Sequence, residues 1–304
     1  MTMKKIFFIA ALAVASVVNA QVLEVASVEK IAIPENLDTK VAGIAPDGSY
    51  LLLTSGSNQG LQRFDLQTNK TELLTEAAGA GYNAKISDDG KEVVFRETSF
   101  TPDRRRMQRL VRRTLASRRN VVLLEPTRDL QGISVHRNTI SFVNNRAVKR
   151  VAINTKQQTE ESPVLSISNG QLMITRGGNT TQLSPNGTDK SYIWPSVSPD
   201  MKHITYYVAG EGCYIAGIDG SNPQFVARQC RAAKWLDSQT LVAMADRDNG
   251  EVVTSSSIVV YTVDGRHQTL TDNSLIAMYP YASADGKRIV FSTDQGEAYM
   301  INIK

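Results

Sequence analysis

The sequence has few residues of the kinds that build most catalytic and metal sites. It contains two cysteines, Cys213 and Cys230, and their spacing excludes a CxxC redox motif or a zinc knuckle. It contains three histidines, His136, His203 and His267, without HExxH or HxH spacing, and it has no GxSxG nucleophile elbow. We therefore predict a protein that is not an enzyme and that uses no cofactor.

Long hydrophobic runs and long helical periods are also scarce. The most prominent apolar run, residues 6–18, has 13 residues, whereas a membrane-spanning helix needs about 20. Two lysines precede this run and the small-residue sequence VNA (18–20) ends it, which is the pattern of a secretory signal peptide. We expect residues 1–20 to be removed and residues 21–304 to form one exported domain, periplasmic or secreted, without a membrane span.

Positive charge is concentrated in one segment, residues 104–120, which contains eight arginines. The full chain has a net charge of +4, and removal of the two lysines of the signal peptide leaves +2. Residues 101–120 carry +7, from eight arginines and one aspartate, so the rest of the mature chain carries −5. This is a local patch on an acidic body that leaves the cytoplasm, so we predict that nucleic acid is not a partner.

Four segments of the chain align without gaps: 41–56, 83–98, 194–209 and 279–294. Each has a short strand, a turn at an Asp-Gly pair (Asp-Met in the third copy) and a second strand of β-branched or aromatic residues. Asp-Gly between two such runs is typical of a tight hairpin, because glycine accepts the positive φ that the turn requires.

Three weaker copies bring the number of units to seven, or to six if the two short units between Asp89 and Asp200 are merged. Units of about four short strands cannot bury both faces alone and must stack, which is typical of a β-propeller. We predict a single all-β propeller with four-stranded antiparallel blades. Segment 296–304 supplies only a third strand for the last blade, so we expect the N-terminal segment 22–33 to complete it and close the ring.

The sequences ISDDGKEVVF (86–95), SPDM (198–201) and SADGKRIVF (283–291) resemble the SPDG repeat of the TolB-like, WD40-like periplasmic β-propellers. The resemblance covers nearly the whole mature chain and implies an exported scaffold that binds a protein or peptide partner. Propeller lyases that act on uronates imply the alternative, a glycan-binding or polysaccharide-degrading propeller with its site in the central channel. This scaffold hosts many functions, so the resemblance predicts the fold more firmly than the activity.

Aromatic residues recur just before the inner strand of several repeats. Trp194 and Tyr279 occupy the same repeat position, Tyr82 lies one place earlier, and Trp235 lies nearby in its weaker copy. Such a column either packs between blades or forms an aromatic platform at the channel mouth, where large rigid side chains give contact area at a low entropic cost. We take the platform as the predicted binding site.

The arginine-rich segment has two interpretations. Its apolar residues have helical spacing, but in the register of the repeats the segment is the second hairpin of the second blade, with strands at Gln108–Leu115 and Val121–Leu124. The hairpin then has a basic rim, which is either a solvated surface or a docking patch for an acidic partner outside the cytoplasm. The residues of this patch are Arg104, Arg105, Arg106, Arg109, Arg112 and Arg113.

Two further features are weaker candidates for a special role. Asp246, Asp248 and Glu251 offer hard oxygen ligands for calcium but lack EF-hand spacing, so we predict a solvated loop without a metal. Cys213 and Cys230 flank a hairpin whose expected register places them opposite each other, which leaves open a disulfide or two free buried thiols. We expect the protein to be a monomer.

Overall fold

The computed structural model describes residues 21–34, 40–159, 161–272 and 274–304. Within these ranges the chain forms 26 β-strands in seven antiparallel sheets. The described part contains no helix, and so none that could cross a membrane. The sheets follow one another around a ring with their first strands innermost, which confirms the predicted propeller and the count of seven blades rather than six.

Each blade uses consecutive strands, except that the last blade also takes the first strand of the chain. Blades 1 and 2 consist of β2 (Lys40–Ile44), β3 (Tyr50–Thr54), β4 (Leu61–Asp65), β5 (Thr71–Thr75), β6 (Lys85–Ile86), β7 (Glu92–Phe100), β8 (Arg106–Thr114) and β9 (Arg119–Thr127). Blades 3 and 4 consist of β10 (Leu130–His136), β11 (Thr139–Asn144), β12 (Ala147–Ala152), β13 (Val164–Ser168), β14 (Gln171–Arg176) and β15 (Asn179–Gln182). Blades 5 and 6 consist of β16 (Tyr192–Val197), β17 (His203–Val208), β18 (Gly212–Gly217), β19 (Gln224–Ala227), β20 (Arg231–Trp235), β21 (Thr240–Asp248), β22 (Val253–Thr262) and β23 (His267–Thr269). Blade 7 consists of β24 (Ala277–Ala282), β25 (Arg288–Thr293), β26 (Ala298–Ile303) and β1 (Val25–Lys30).

Blades 3 and 4 have three strands each among the described residues, which corrects the prediction that every blade has four. The sequences that follow their third strands include NTKQQ (154–158) and SPNGTDK (184–190). These are polar and rich in turn-forming residues, and apart from Thr155 and Thr188 they lack the β-branched and aromatic side chains that favour a strand. Among the described residues, the two blades therefore end at their third strands.

The N-terminal strand closes the ring as predicted. β1 pairs antiparallel with β26, with Val28 opposite Ile301, and so becomes the outer strand of blade 7. Beyond the strand ends, the Lys304 amide donates to the carbonyl of Glu24 at 3.0 Å. Pairing the two ends of the chain covers an edge that each strand would otherwise expose.

A serine and an aspartate close the inner hairpins that carry the SPDG-like sequences. In blade 7 the Ser283 hydroxyl donates to Asp285 Oδ1 at 2.5 Å and accepts the Arg288 amide at 3.0 Å. The same carboxylate accepts the Lys287 amide at 3.0 Å. The pattern recurs in blades 2 and 5, around Ser87, Asp89, Ser198 and Asp200. The motif therefore satisfies turn amides that have no partner in the sheet.

Met201 occupies the glycine position of this turn in blade 5 and has a left-handed backbone, with φ 60°. The glycines at the equivalent positions, Gly48, Gly90 and Gly286, have φ of 71°, 71° and 72°. The turn geometry therefore persists without glycine, although a left-handed backbone costs a residue with a Cβ about 1–2 kcal/mol.

The hydrophobic core lies between neighbouring blades rather than at a single centre. Leu51 of blade 1 packs in one cluster with Val290 of blade 7, and Leu52 of blade 1 packs in another with Phe95 of blade 2. All four side chains have 0–1% exposure. Because each blade buries both faces against its neighbours, the inner strands are fixed around the channel.

Candidate functional site

The inner strands all begin at the same end of the ring, which we call the mouth face. Five of them, β2, β10, β16, β20 and β24, have a register shift. In the last four, one residue inside the shift has a left-handed backbone with φ between 51° and 56°; these residues are Gly132, Trp194, Ala232 and Tyr279. Glycine adopts this backbone freely, whereas an aromatic residue must be held in it by the surrounding fold.

Three of the four predicted aromatic residues lie on the mouth face and are exposed. Trp194 is 51% exposed, and the centre of its ring lies 5.5 Å from that of Tyr207. Tyr279 is 37% exposed, and Lys40 Nζ lies 4.3 Å from its ring centroid. Tyr82 is also 51% exposed and lies just before the inner strand of blade 2. The three residues come from blades 5, 7 and 2, so they are distributed around the channel opening.

Trp235 does not join them. Trp235 pairs with Leu241, and the equivalent pair in blade 7 is Ala282 with Ile289. Because Ala282 lies three residues after Tyr279, Trp235 lies three residues beyond the repeat position that Trp194 and Tyr279 share. Its half-buried ring packs into the cluster between blades 5 and 6, and its Nε1–H is buried without an acceptor among the described residues. In the sequence, Trp235 resembles the other three aromatic residues, but its register position makes it a packing residue between blades 5 and 6.

Two long hairpins extend the mouth face. β7 and β8 have nine residues each, and β21 and β22 have nine and ten. In an antiparallel blade the turn between the second and third strands lies at the end where the inner strand begins. The turns at 101–105 and 249–252 are therefore on the mouth face, where Phe100 is 66% exposed and Val252 is 61% exposed.

The arginine-rich segment forms the strands β8 and β9, which confirms the hairpin interpretation over the helix. Its first residues form the exposed tip of the blade 2 hairpin, where Arg104 has φ 61° and Arg105 pairs with Asp103. Arg104 and Arg106 form no ion pair with any described residue. Arg109 lies further along β8 and is paired with Glu97.

The other two arginines of the predicted patch connect blades. Arg112 Nη1 donates to the carbonyl of Ile153 in blade 3 at 2.9 Å. Arg113 Nη2 lies 3.1 Å from Glu72 Oε1 in blade 1. Successive residues of a strand point to opposite faces, so one arginine reaches each neighbouring blade. The predicted patch thus divides into an exposed tip and a structural pair.

Two lysines that the sequence analysis did not identify oppose each other across the channel. Lys85 is on β6 of blade 2 and Lys234 is on β20 of blade 6, two blades that are not neighbours in the ring. Burial lowers the pKa of Lys85 to about 7, and repulsion from Lys234 and Arg96 adds to this effect. Burial also lowers the pKa of Lys234. Both residues are on inner strands, which line the channel, and their blades are not neighbours in the ring.

These lysines share one register position of the inner strands. Lys85 pairs with Val94, and Lys234 pairs with Val242. The equivalent residues of the other five inner strands are Gly43, Ser134, Ser166, Ser196 and Tyr281. We call these seven residues the channel belt; it contains no carboxylate. The only sign of it in the sequence was a lysine where the other repeats have serine, glycine or tyrosine.

An arginine already pairs with two of the three carboxylates of the weak metal candidate. Arg231 Nη1 lies 3.1 Å from Asp246 Oδ2, and Arg231 Nη2 lies 2.7 Å from Asp248 Oδ2. Burial raises the pKa of Asp246, which is 4% exposed. Glu251 is in the exposed turn at the hairpin tip. Over the described ranges, no three or more His, Cys, Asp or Glu side chains form a group that could hold a metal ion.

The histidines are also dispersed, and two of them pack against aromatic rings. His136, His203 and His267 are on blades 3, 5 and 6. The His203 ring lies 6.5 Å from that of Trp235, and the His267 ring is stacked on Tyr261 at 6.2 Å. The described part of the chain therefore brings no two histidines into one site.

The cysteines are neighbours, although their predicted register is wrong. Cys213 pairs with Ala227 rather than with Cys230, because Ile215 instead of Ile218 begins the pairing beside the turn, opposite Gln224. β19 then ends at Ala227, so Cys230 lies in the linker to blade 6. Both are free, buried thiols in the cluster between blades 5 and 6. A hydrogen bond from Cys230 lowers the pKa of Cys213. The two cysteines are therefore close together, but not as the cross-strand pair that the sequence predicted. The disulfide stays a prediction.

Comparisons with known proteins bear on the fold. No family model and no curated protein matches the chain. Among solved structures, the WD40 repeats of RRP9 match at a TM-score of 0.65 and 11% identity, over 93% of this chain and 99% of that one. A putative TolB from Agrobacterium tumefaciens matches at a TM-score of 0.52 and 16% identity, over 91% and 96%.

A third solved structure is an oligogalacturonate lyase in complex with manganese, which matches at a TM-score of 0.50 and 16% identity. The match covers 86% of this chain and 76% of that one. At these identities the similarities show a shared propeller fold. They agree with the TolB-like and WD40-like fold expected from the repeats, and the function has to be argued from the site itself.

Proposed function

We propose that this protein is an exported, non-catalytic propeller that binds an acidic protein or peptide partner on its mouth face. The observation that carries the proposal is the distribution of exposed apolar side chains. Nine large hydrophobic residues of the described chain are exposed, and five of them lie on the mouth face. These five are Tyr82, Phe100, Trp194, Val252 and Tyr279. A concentration of exposed apolar residues on one face is typical of a protein-binding surface.

The backbone of the aromatic residues supports a binding role. Trp194 and Tyr279 remain exposed although a left-handed backbone is costly for both of them. A folded protein retains such strain most often at functional sites, where it fixes the direction of a side chain. Rigid aromatic side chains with fixed directions are the usual anchors of protein interfaces.

Charge on the same face supports an acidic partner. Arg104 and Arg106 are exposed at the tip of the blade 2 hairpin and are not ion-paired with described residues. Complementary charge at the rim of an interface speeds association and excludes partners of the wrong sign. We expect the partner to contact the hairpin tip with acidic residues and the aromatic residues with apolar ones.

The proposal is tested by affinity capture from a periplasmic extract, followed by titration of each captured protein in purified form. The variants are a Trp194→Ala/Tyr279→Ala double mutant and, as a matched control, Phe225→Ala. Phe225 is 56% exposed but is on β19, the outer strand of blade 5. We expect the double mutant to lose a partner that the wild type and the control both bind. Equal affinity for all three proteins would overturn the assignment of the mouth face.

Export is a separate part of the proposal, supported by the N-terminal sequence, which lies outside the described residues. N-terminal sequencing of the protein from a periplasmic fraction should give Gln21 as the first residue. A protein that retains Met1 and is found only in the cytoplasm would contradict export without affecting the mouth-face assignment.

The competing hypothesis is a glycan-binding or polysaccharide-degrading propeller with its site in the channel. The cationic channel is the one observation that favours it, since uronates are anions. An increase in absorbance at about 235 nm during incubation of the protein with polygalacturonate, with and without manganese, would support a lyase, because β-elimination creates a conjugated double bond. We expect no such increase, because the histidines are on three separate blades.

A further inference from the structure

The channel belt carries positive charge that the described protein does not neutralise. Lys85 and Lys234 form no ion pair or hydrogen bond through their side chains with any described residue, and both are half-buried. Lys234 Nζ lies 5.4 Å from the ring centroid of Tyr281, which gives it a cation–π contact but no counter-ion.

A third cation lies between the belt and the mouth. Arg96 is on β7, two residues beyond the Val94 that pairs with Lys85, and it is 8% exposed. Its guanidinium carbon lies 5.0 Å from the ring centroid of Tyr82, and its Nε is buried without a hydrogen-bond acceptor. No described carboxylate forms an ion pair with it. A guanidinium that is more than nine-tenths buried and incompletely bonded is poised to take an acceptor from outside the protein.

Buried cations without counter-ions are expensive for a protein to retain. A charge in a poorly solvated site is normally paired, and the two lysines further destabilise each other by repulsion. The cost falls when an anion binds, because a desolvated ammonium or guanidinium forms short, charge-assisted hydrogen bonds to an oxyanion. The three serines of the belt add hydroxyl donors at the same level, since Ser134, Ser166 and Ser196 have no side-chain hydrogen bonds to described residues.

We propose that the channel belt and Arg96 form an anion-binding site for a carboxylate group of an acidic peptide that enters the channel from the mouth. Lys85 and Lys234 hold the carboxylate from opposite sides, and Arg96 contacts it or the next acidic group along the peptide. The anion site itself stands on the geometry of the channel, whereas its assignment to a peptide rests on the proposed function.

The arrangement of the cations favours a peptide over a polyuronate. Lys85 and Lys234 are at one level of the channel, and Arg96 is next to them, so the charges form a single cluster. One cluster matches one acidic side chain or a chain terminus, whereas a polyuronate presents a carboxylate on every sugar and needs a row of cations. The aromatic residues around the mouth can hold the rest of the peptide.

Isothermal titration of the mature protein with tri-glutamate tests the site. We expect saturable binding, with an affinity that falls about tenfold or more in Lys85→Met and further in a Lys85→Met/Lys234→Met double mutant. The matched control is Lys70→Met, because Lys70 is an exposed lysine in the turn between β4 and β5, away from the channel. Both channel variants should fold, since each replaces an unpaired half-buried cation with an apolar side chain of similar length.

The pKa of Lys85, measured with and without peptide, distinguishes a binding residue from a purely structural lysine. NMR of the side-chain Cε–Hε groups, assigned with the Lys85→Met variant, follows its protonation with pH. Saturating tri-glutamate should raise the pKa of Lys85 from about 7 towards the ordinary lysine value. An unchanged titration curve in the presence of bound tri-glutamate would show that the peptide binds elsewhere and would overturn the site.

Further probes identify the ligand class. Binding of tri-galacturonate but not tri-glutamate would overturn the peptide assignment in favour of a glycan, and binding of inorganic phosphate alone would overturn the carboxylate assignment. No saturable binding of any of these anions, or equal affinities in wild type and Lys85→Met, would overturn the anion site. If the Trp194→Ala/Tyr279→Ala protein loses its partner but still binds tri-glutamate, both the proposed function and the anion site are supported. If the wild-type protein captures its partner but binds no anion, the proposed function is supported and the anion site is overturned.

Discussion

Trp194 and Tyr279 are equivalent residues of two different blades, and both have a left-handed backbone, with φ 53° and 55°. Each is followed by a proline, Pro195 or Pro280, and lies within a register shift of its inner strand. The repeat has therefore retained a strained position and filled it twice with an exposed aromatic side chain. Because these side chains are exposed and their backbone is strained, we expect mutations at these two positions to weaken binding without a large loss of stability.

Replacing Trp194 with glycine should leave the free energy of unfolding within about 1 kcal/mol of the wild type. Relief of the left-handed backbone, about 1–2 kcal/mol, offsets the lost ring contact with Tyr207, about 0.5–1.5 kcal/mol. Urea unfolding measures the stability, and titration with a purified partner should show weaker binding. A loss of several kcal/mol would mean that the indole is a packing element and not a binding residue.

Replacing Met201 with glycine should raise the free energy of unfolding by about 0.5–1 kcal/mol. The left-handed turn penalty of a residue with a Cβ is removed, and the greater entropy of glycine in the unfolded chain cancels part of the gain. The measurement is again urea unfolding. The reciprocal variant Gly286→Met, at the equivalent turn of blade 7, should destabilise the protein; stabilisation by this variant would contradict the explanation.

The stability of the protein should depend on pH through Lys85. Its pKa is lowered from 10.5 to about 7 in the folded state, so between these values the unfolded chain binds more protons and stability rises with pH. The charged groups that act on it are Lys234 and Arg96, and burial lowers the pKa of Lys234 as well. Tyr281, in contact with Lys234, has its pKa raised by burial to about 12, above this window. We expect Lys85→Met to be more stable than the wild type at pH 6, with a difference that shrinks by pH 10. A difference in Tm that is constant with pH would contradict the lowered pKa.

The arginines of the basic segment should fall into two classes. Replacing the tip residues Arg104, Arg105 and Arg106 with glutamine should leave Tm unchanged and reduce partner binding, most clearly at low salt. Arg113→Gln should instead destabilise the protein by about 1–3 kcal/mol, because Arg113 is 9% exposed and joins blade 2 to Glu72 of blade 1. Thermal unfolding and binding titrations distinguish the classes, and a tip variant that unfolds would show that the tip is structural.

The cysteine pair should oxidise when the protein is exported. Cys213 and Cys230 are buried in the same cluster between blades 5 and 6, so we expect that little rearrangement is needed to form a disulfide. Thiol labelling in urea should find no free thiols in protein from the periplasm and two in protein made in the cytoplasm. We expect reduction to lower the free energy of unfolding by about 3 kcal/mol, because the bridge restricts the unfolded chain over residues 213–230. Two labelled thiols in the exported protein would contradict the prediction.

The order of the strands could be predicted because each inner hairpin is encoded locally. The serine and aspartate of the SPDG-like sequences bond to amides of their own turn, as Ser283 and Asp285 do, so the repeat is visible without knowledge of the fold. The ring closure followed from the missing strand of the last unit. The absent fourth strands of blades 3 and 4 were missed because the repeat pattern was extended across polar sequence that does not support a strand.

The residues of the proposed binding site were predictable only in part. Trp194 and Tyr279 could be grouped because they share a repeat position, whereas Trp235 lies in a weaker copy of the repeat, where the sequence does not show its register with Leu241. Arg112 and Arg113 looked like the other arginines of the segment. Only the faces of β8 show that they bond to neighbouring blades.

The repeat and its turns could be read from the amino-acid sequence, because they depend on residues close together in the chain. The sequence allowed seven or six blades, and the folded ring has seven. Which residues share the channel depends on the closed ring. Lys85 and Lys234 are far apart in sequence and belong to blades that are not neighbours, yet closure of the ring turns both towards one axis. Their mutual repulsion is a property of the closed ring, and no local pattern encodes it.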